Sequence, residues 1–380
     1  MGVEFRMSSG DHKVVEDFLA GKPAGVAGVV LSARGAHKEQ TVAEQARDIG
    51  VEVYWDPTTD RLTRPGFSVP GVTDAVGVLQ VEALRSSPSL RRQLAETVWR
   101  AHPDYVTAGT PPHLAVESTA DWTLNLELAN RFRDLAGDKT VRPPLILSSR
   151  LGIEQVHAIA ASYVAQGFTV VELRVTPFGG EDEGPRKIRE AFATLQAFVD
   201  AGLQTTLGCS GNLGQAAMAV GHVQHYSVGV GMLEKVNHAA TIARQQKPRV
   251  PGKGFGAQAG LYLAPLAYTA PIKLGEALLA TAGIRTRVGC RLGTCNDSVA
   301  GPSANPREHY LHARAHEADL VIERPAAWRI TGELDRLRMA KNLRNQVNEK
   351  YLPAGRPPMK TRTLSALIDT LEEGPAQQVG

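Results

Sequence analysis

Short apolar, β-branched runs alternate with amphipathic stretches along most of this chain. GVAGVVLSA (25–33) is bounded by glycine and reads as a buried strand, and KEQTVAEQARDIG after it reads as a helix ending at Gly50. VEVYW (51–55), PDYVTAG (103–109), PPLILSS (143–149), FTVVELRV (168–175), LQTTLG (203–208), HYSVGVG (225–231) and IRTRVGC (284–290) follow as the second to eighth strands. Between them, Leu90, Leu94 and Val98, then Ile153, Val156, Ile159 and Val164, then Ile188, Phe192, Leu195 and Phe198 recur at helical spacing. Strands apolar on both faces and separated by helices imply parallel βαβ units. The predicted fold is therefore α/β: a (β/α)8 TIM-type barrel over residues 1–320. A doubly wound open sheet is the alternative. Its dinucleotide-binding form would put G-x-G-x-x-G after the first strand, where the chain has Ser32-Ala33-Arg34-Gly35.

Two long segments exceed a minimal barrel, residues 56–85 and 247–270, and loops of that length inside compact domains are usually lids or binding loops. Residues 321–380 form a predicted helical extension packed on the barrel. In it Ile330, Leu334, Leu337, Leu343 and Val347 make an apolar stripe that ends at Pro353 and Pro357-Pro358. Residues 321–362 hold ten Lys and Arg against four acids, a local excess able to track a phosphate backbone or simply to solvate a helix face.

Composition narrows the classes. The chain has 380 residues, 43% hydrophobic and 21% charged, with a net charge of +3, values ordinary for a globular protein and too mild to demand a nucleic acid or membrane partner. Cys209, Cys290 and Cys295 are too few for a disulfide framework, which favours a reducing compartment. The N-terminal residues lack a signal-peptide pattern, and no apolar window is long enough to span a bilayer. The expected location is the cytoplasm, with no membrane contact and room for oligomerisation.

In a barrel, chemistry belongs to polar residues at strand C-termini. The candidates for nucleophile or general base are Asp56, Glu172 and Glu234. Arg34, Arg150 and Arg174 are the candidate anion clamps. Ser210, Gly229 and Gly231 belong to two glycine-rich turns, GCSGNLG and VGVGM, whose N–H groups would approach an anion, or which merely turn tightly. Asp56 reads equally as an Asp-Pro turn, Glu172 as an ion pair with Arg174 or Arg150, and Glu234 as a charge near a helix start. Cys209 reads as a small buried hydrophobe. Cys290 and Cys295, followed by His309, His312 and His316 along one helix face, form a possible structural zinc site with Cys290, Cys295, His309 and His312 as ligands. The plainer reading is buried thiols beside a polar helix face.

A barrel whose last strand runs into a cysteine cluster answered by a downstream histidine resembles the tRNA-guanine transglycosylases, zinc-bearing (β/α)8 enzymes that exchange a base at a glycosidic bond through a carboxylate nucleophile. The resemblance covers about thirty residues specifically, and implies that Cys290, Cys295 and one of His309 or His312 stand where that family holds zinc. This chain has two thiolates where the family has three. It lacks the family's S-D-S-G-G-F-Q motif, and SVGVGMLE (227–234) stands loosely for the Gly-Gly-Leu loop, so no catalytic residue is carried over. The expected function is a barrel enzyme acting on a nucleoside- or nucleotide-like ligand, by base exchange or glycosidic-bond chemistry on nucleic acid. The alternatives are an idle barrel serving as a nucleic-acid or protein interaction module, and a lyase or phosphatase on a small phosphorylated metabolite.

Overall fold

The computed structural model describes residues 1–247, 260–293 and 301–374. Eight strands form one sheet: β1 (Gly2–Arg6), β2 (Val26–Leu31), β3 (Glu52–Trp55), β4 (Ala115–Val116), β5 (Pro144–Ser148), β6 (Val170–Thr176), β7 (Gln204–Leu207) and β8 (His225–Gly229). Their order is β3-β2-β1-β8-β7-β6-β5-β4, and every neighbouring pair is parallel. The sheet curls into a barrel-like α/β fold, but its ladder is not the closed eight-strand ring expected from the sequence. Strands β3 and β4 are its ends.

The segment read as the third strand, 103–109, is irregular. It crosses the gap between the ends, with Thr107 N–H donating to Val53 O at 2.8 Å, Gly109 N–H to Thr140 O at 2.7 Å and Arg142 N–H to Gly109 O at 2.8 Å. The two proline-flanked turns around it, at Pro103 and Pro111-Pro112, remove the N–H groups that a longer ladder would need.

Two further expectations are corrected. The segment read as the eighth strand, 284–290, is mostly helix, since Ala282–Val288 is α-helical. Ile284 and Val288 satisfy both a strand alternation through Thr286 and a helical i, i+4 spacing. The helix wins because both side chains bury against Leu261, Leu274 and Leu278 of a satellite core. The real extra strand is β1, a central one between β2 and β8, which has the sequence GVEFR. Val3 and Phe5 enter the main core, and Glu4 and Arg6 turn to the inside of the curl.

Helices cover the outer face: α1 (His12–Ala20), α2 (Gln40–Asp48), α3 (Pro88–Ala101), α4 (Thr119–Ala136), α5 (Ile153–Ala165), α6 (Pro185–Asp200) and α7 (Asn212–Val220). Beyond β8 lie α8 (His238–Gln245), a hairpin of Gly260–Leu263 with Tyr268–Pro271, and α9 (Ile272–Ala280) and α10 (Ala282–Val288). Then come α11 (Pro306–Glu323), α12 (Ala326–Lys350) and α13 (Arg362–Glu373). Helix α11 packs on β1 and α1, α12 on α7, and α13 on α6 and α12. No helix among the described residues is long and apolar enough to cross a membrane.

The inside of the curl is charged. Arg6 on β1 bonds Asp56 after β3, and its Nη1 lies 2.8 Å from Glu172 Oε1 on β6. Arg174 on the same strand reaches Asp56 Oδ2 at 2.5 Å and Glu172 Oε1 at 2.7 Å. Arg142 lies 2.6 Å from Glu4 and stacks 3.3 Å from the centroid of Tyr54, while Thr206 Oγ1 donates to Glu4 at 3.0 Å. These contacts join strands that are not sheet neighbours, so they tie the curl across its diameter. Removing one member strands buried charges: Arg174→Met should cost about 3–5 kcal/mol in the urea unfolding free energy, against under about 0.5 kcal/mol for the exposed Arg150→Met. Equal effects would mean that the charges inside the curl do not hold it.

Candidate functional site

The strand C-termini gather Asp56 and Glu172 as the sequence suggested, but as members of the ion cluster. Asp56 Oδ1 accepts the Thr58 N–H at 2.8 Å, and Oδ2 takes both Arg6 and Arg174. Burial by itself would raise the Asp56 pKa, but Arg174 and then Arg6 hold it well below the ordinary carboxylate range. Burial opposes ionisation of Glu172 too, and the same two guanidiniums bring its pKa down to about 2. Both groups are anions at neutral pH with their oxygens occupied, a poor condition for a base or an attacking nucleophile.

Glu234 sits elsewhere. It precedes the strand Lys235–Val236, which pairs with Phe178–Gly179, and its carboxylate takes Tyr310 OH at 2.6 Å together with Arg314. That pair opens a second buried network, in which Arg314 also approaches Glu317 at 3.2 Å and Arg336 binds Glu333 at 2.7 Å. The network fastens α11 and α12 to the end of β8.

The glycine-rich turns prove to be space for these side chains. A Cβ on Gly208 would lie 2.6 Å from Glu172 Oε1, and one on Gly211 would lie 2.6 Å from the Glu234 carboxyl carbon. Gly229 sits beneath the backbone of Met232, and Gly231 has φ +90° beside Arg307. Ser210 Oγ donates to Leu207 O at 3.1 Å. Cys209 is a buried thiol in the left-handed region, φ +54°, and burial pushes its pKa up. Of the three candidate anion clamps, Arg174 is spent in the interior, Arg150 is exposed, and Arg34 lies at the surface with its Nε 3.0 Å from Ser68 O.

Of the residues proposed for zinc, Cys290 and His309 both lie close enough to His312 to act on its charge, burial being the larger influence. His309 Nε2 faces the Tyr262 carbonyl at 2.7 Å, His312 packs edge-on against Phe18 at 4.9 Å, and Cys290 Sγ accepts the Leu292 N–H at 3.4 Å. Cys295 lies outside the described residues. No group of three or more His, Cys, Asp or Glu side chains among the described residues is arranged to hold a metal ion. In the basic extension, Arg336, Arg338, Arg344 and Lys360 pair with Glu333, Glu372, Glu181 and Asp182, so part of its excess points inward or is neutralised.

What sequence reasoning missed is a histidine–aspartate–histidine array at the barrel mouth. Asp60 lies on a 3-10 turn (Thr59–Thr63) beyond β3, His113 in the crossing segment before β4, and His238 at the start of α8. His113 Nε2 lies 3.5 Å from Asp60 Oδ1 and 3.7 Å from Asp56 Oδ1, and His238 Nε2 lies 3.3 Å from Asp60 Oδ2. His113 is fixed from behind by Pro111 O, 3.1 Å from its Nδ1, and by its own N–H to Thr59 Oγ1 at 2.7 Å. His238 N–H donates to Thr176 Oγ1 at 2.9 Å, and Asn237 caps the turn it begins. Although buried, Asp60 is held strongly anionic by the two imidazoles. Its own side chain is 7% exposed and that of His113 2%, whereas His238 is 19% exposed, so the array runs from the interior to the surface.

Around its outer end the two halves of the chain meet. Gln245 Nε2 donates to Arg61 O, Arg64 O and Pro65 O at 2.9, 2.9 and 3.1 Å, tying α8 to the long loop after β3. Arg61 and Arg34 both stack on Phe67, with guanidinium carbons 3.7 and 4.5 Å from the ring centroid. Burial lowers the Arg61 pKa; Asp60 and Asp56 oppose that shift, and Arg34 and Arg244 add to it. Like charges crowded beside one aromatic ring are a favourable setting for an anion.

Neither a family model nor a curated protein sequence matches the chain.

The depressed carboxyls set an acid limit. A folded-state pKa below the unfolded value contributes stability that is complete above the unfolded pKa and lost as pH falls through the folded one. Urea midpoints should therefore fall as pH drops from about 4.5 towards about 2, and Glu172→Gln, though weaker at neutral pH, should show a shallower fall. An unchanged slope in the variant would take Glu172 out of the acid transition.

Proposed function

We propose that this protein is an enzyme performing general acid–base chemistry on a small anionic substrate, phosphorylated or nucleotide-like, at the strand-end mouth. The observation that carries the reading is the His113–Asp60–His238 array reaching the surface beside Arg34 and Arg61. In this reading the architecture is a (β/α)8 arrangement in which 107–109 stands as the strand between β3 and β5, α11 as its last helix, and α8 as a cover over the mouth.

His238 is the group that meets substrate. Asp60 orients its imidazole and stabilises the imidazolium formed when His238 takes a proton, as a buried carboxylate does in hydrolase triads. His113 is a positioning residue, holding the other Asp60 oxygen. Arg34 and Arg61 bind the substrate's anionic group. Base exchange at a glycosidic bond would instead call for an unoccupied carboxylate, and Asp56, Glu172 and Glu234 are each engaged by guanidinium groups. That favours proton transfer over covalent glycosyl chemistry.

A screen of nucleotides and small phosphorylated metabolites between about pH 5 and 9 tests the reading. For any substrate found, His238→Gln and Asp60→Asn should each lower kcat about 100-fold or more, while Arg61→Ala should chiefly raise KM. Full turnover in both His238→Gln and Asp60→Asn would remove the array from the chemistry.

A further inference from the structure

A cavity of about 720 Å³ opens on the flank of the barrel, between the segment after β2 and the residues that follow α3. Its volume is that of a small-molecule site, not of a lone inorganic ion. Arg34, Arg47 and Arg100 line it against a single acid, Asp104. The exposed Arg100 is shared with the half-buried Glu96 at 3.1 Å, a pairing that solvent weakens, and Arg47 has no acidic partner among the described residues. The wall is aromatic as well as basic, because Trp55, His102 and Tyr105 contribute to it.

Two rings give that wall its aromatic character. Trp55 is 2% exposed, and its indole Nε1–H has no acceptor among the described residues. Buried donors are normally paired; this one is shut off from solvent, so the ring and not its N–H lines the cavity. His102 accepts the Thr110 N–H through Nε2 at 3.0 Å, which keeps its ring neutral and in place beside Trp55 at 5.3 Å. The cavity thus joins a cationic rim to a wall of Trp55, His102 and Tyr105, the first two rings edge to face.

We propose that this cavity binds an organic phosphate of nucleotide size, its phosphoryl oxygens on Arg47 and Arg100 and its ring system against the aromatic wall. Guanidinium groups pair with phosphate by paired, charge-assisted N–H donors, and aromatic faces accept planar bases. The site stands independently of the His113–Asp60–His238 array. It shares Arg34 with the mouth, and Trp55 is the residue before Asp56, so an occupant would lie one residue from the interior ion cluster.

The experiment is a titration of the full chain, by calorimetry and tryptophan fluorescence, with adenosine monophosphate, ribose 5-phosphate and inorganic phosphate. Adenosine monophosphate should bind saturably, quench fluorescence and weaken as salt rises. The double variant Arg47→Ala/Arg100→Ala, altered only at exposed positions, should weaken it about 10-fold or more. Arg100→Glu should do the same if the double variant fails to fold. Arg150→Met, which removes an exposed arginine outside both sites, should bind as the parent does, and because Arg47 and Arg100 take no part in the array, failure of the catalytic reading leaves this one standing. No saturable binding at low salt, equal binding by the arginine variants, or inorganic phosphate binding as tightly as the nucleotide would each overturn it.

Discussion

The ion cluster inside the curled sheet is the constraint on which the rest depends. Arg6 and Arg174 stand between Asp56 and Glu172, and all four are at least nine-tenths buried. Burying charge is expensive, and each of these pairs repays the cost only through close geometry and a full set of partners. That requirement propagates outward. Gly208 has to lack a side chain, Gly28 has to leave room for Tyr54 and Glu4, and β1, β3 and β6 have to meet in a single register. An apolar filling would tolerate slippage that this one does not.

The same cluster frees the mouth for other work. Because Asp56 is saturated from below, the next titratable layer, Asp60 with its two histidines, is built on a rigid floor. His238 arrives from α8, far along the chain, and its position depends on Thr176 at the end of β6, on Asn237 and on Gln245. The mouth is thus assembled from a stiff half belonging to the strands and a half delivered by the long segment after β8.

Much of the scaffold was legible because six of the strands are apolar runs between helices of clear period. What escaped was β1. Its pattern, Gly-Val-Glu-Phe-Arg, alternates correctly for a strand, but its polar positions face the interior, which inverts the usual expectation that charge means solvent. The segment 284–290 failed for the opposite reason, since Ile284 and Val288 fit two periods and packing decided between them. Asp56 and Glu172 were found as strand-end carboxylates, and the ion pair of Glu172 with Arg174 was one of the readings offered; what could not be read was that Arg6 reaches both carboxylates. Asp60 lies four residues beyond Asp56 and was within reach of the same reasoning. His113 and His238 had no signal, because their relation is purely spatial across 125 residues of chain.

The placement of β1 has a consequence for how the molecule comes to exist. Gly2 through Arg6 pair on one side with the next strand and on the other with His225 through Gly229. A chain emerging from its N-terminus can form β1 with β2 at once, but Glu4 and Arg6 have to stay hydrated until β5, β6 and β7 supply Arg142, Glu172, Arg174 and Thr206. The desolvation of the interior is therefore concentrated in a late, long-range step, and a sheet curled that way forms slowly compared with one built from local pairings. Stiffness across the finished curl and reluctance to close it come from the same charges.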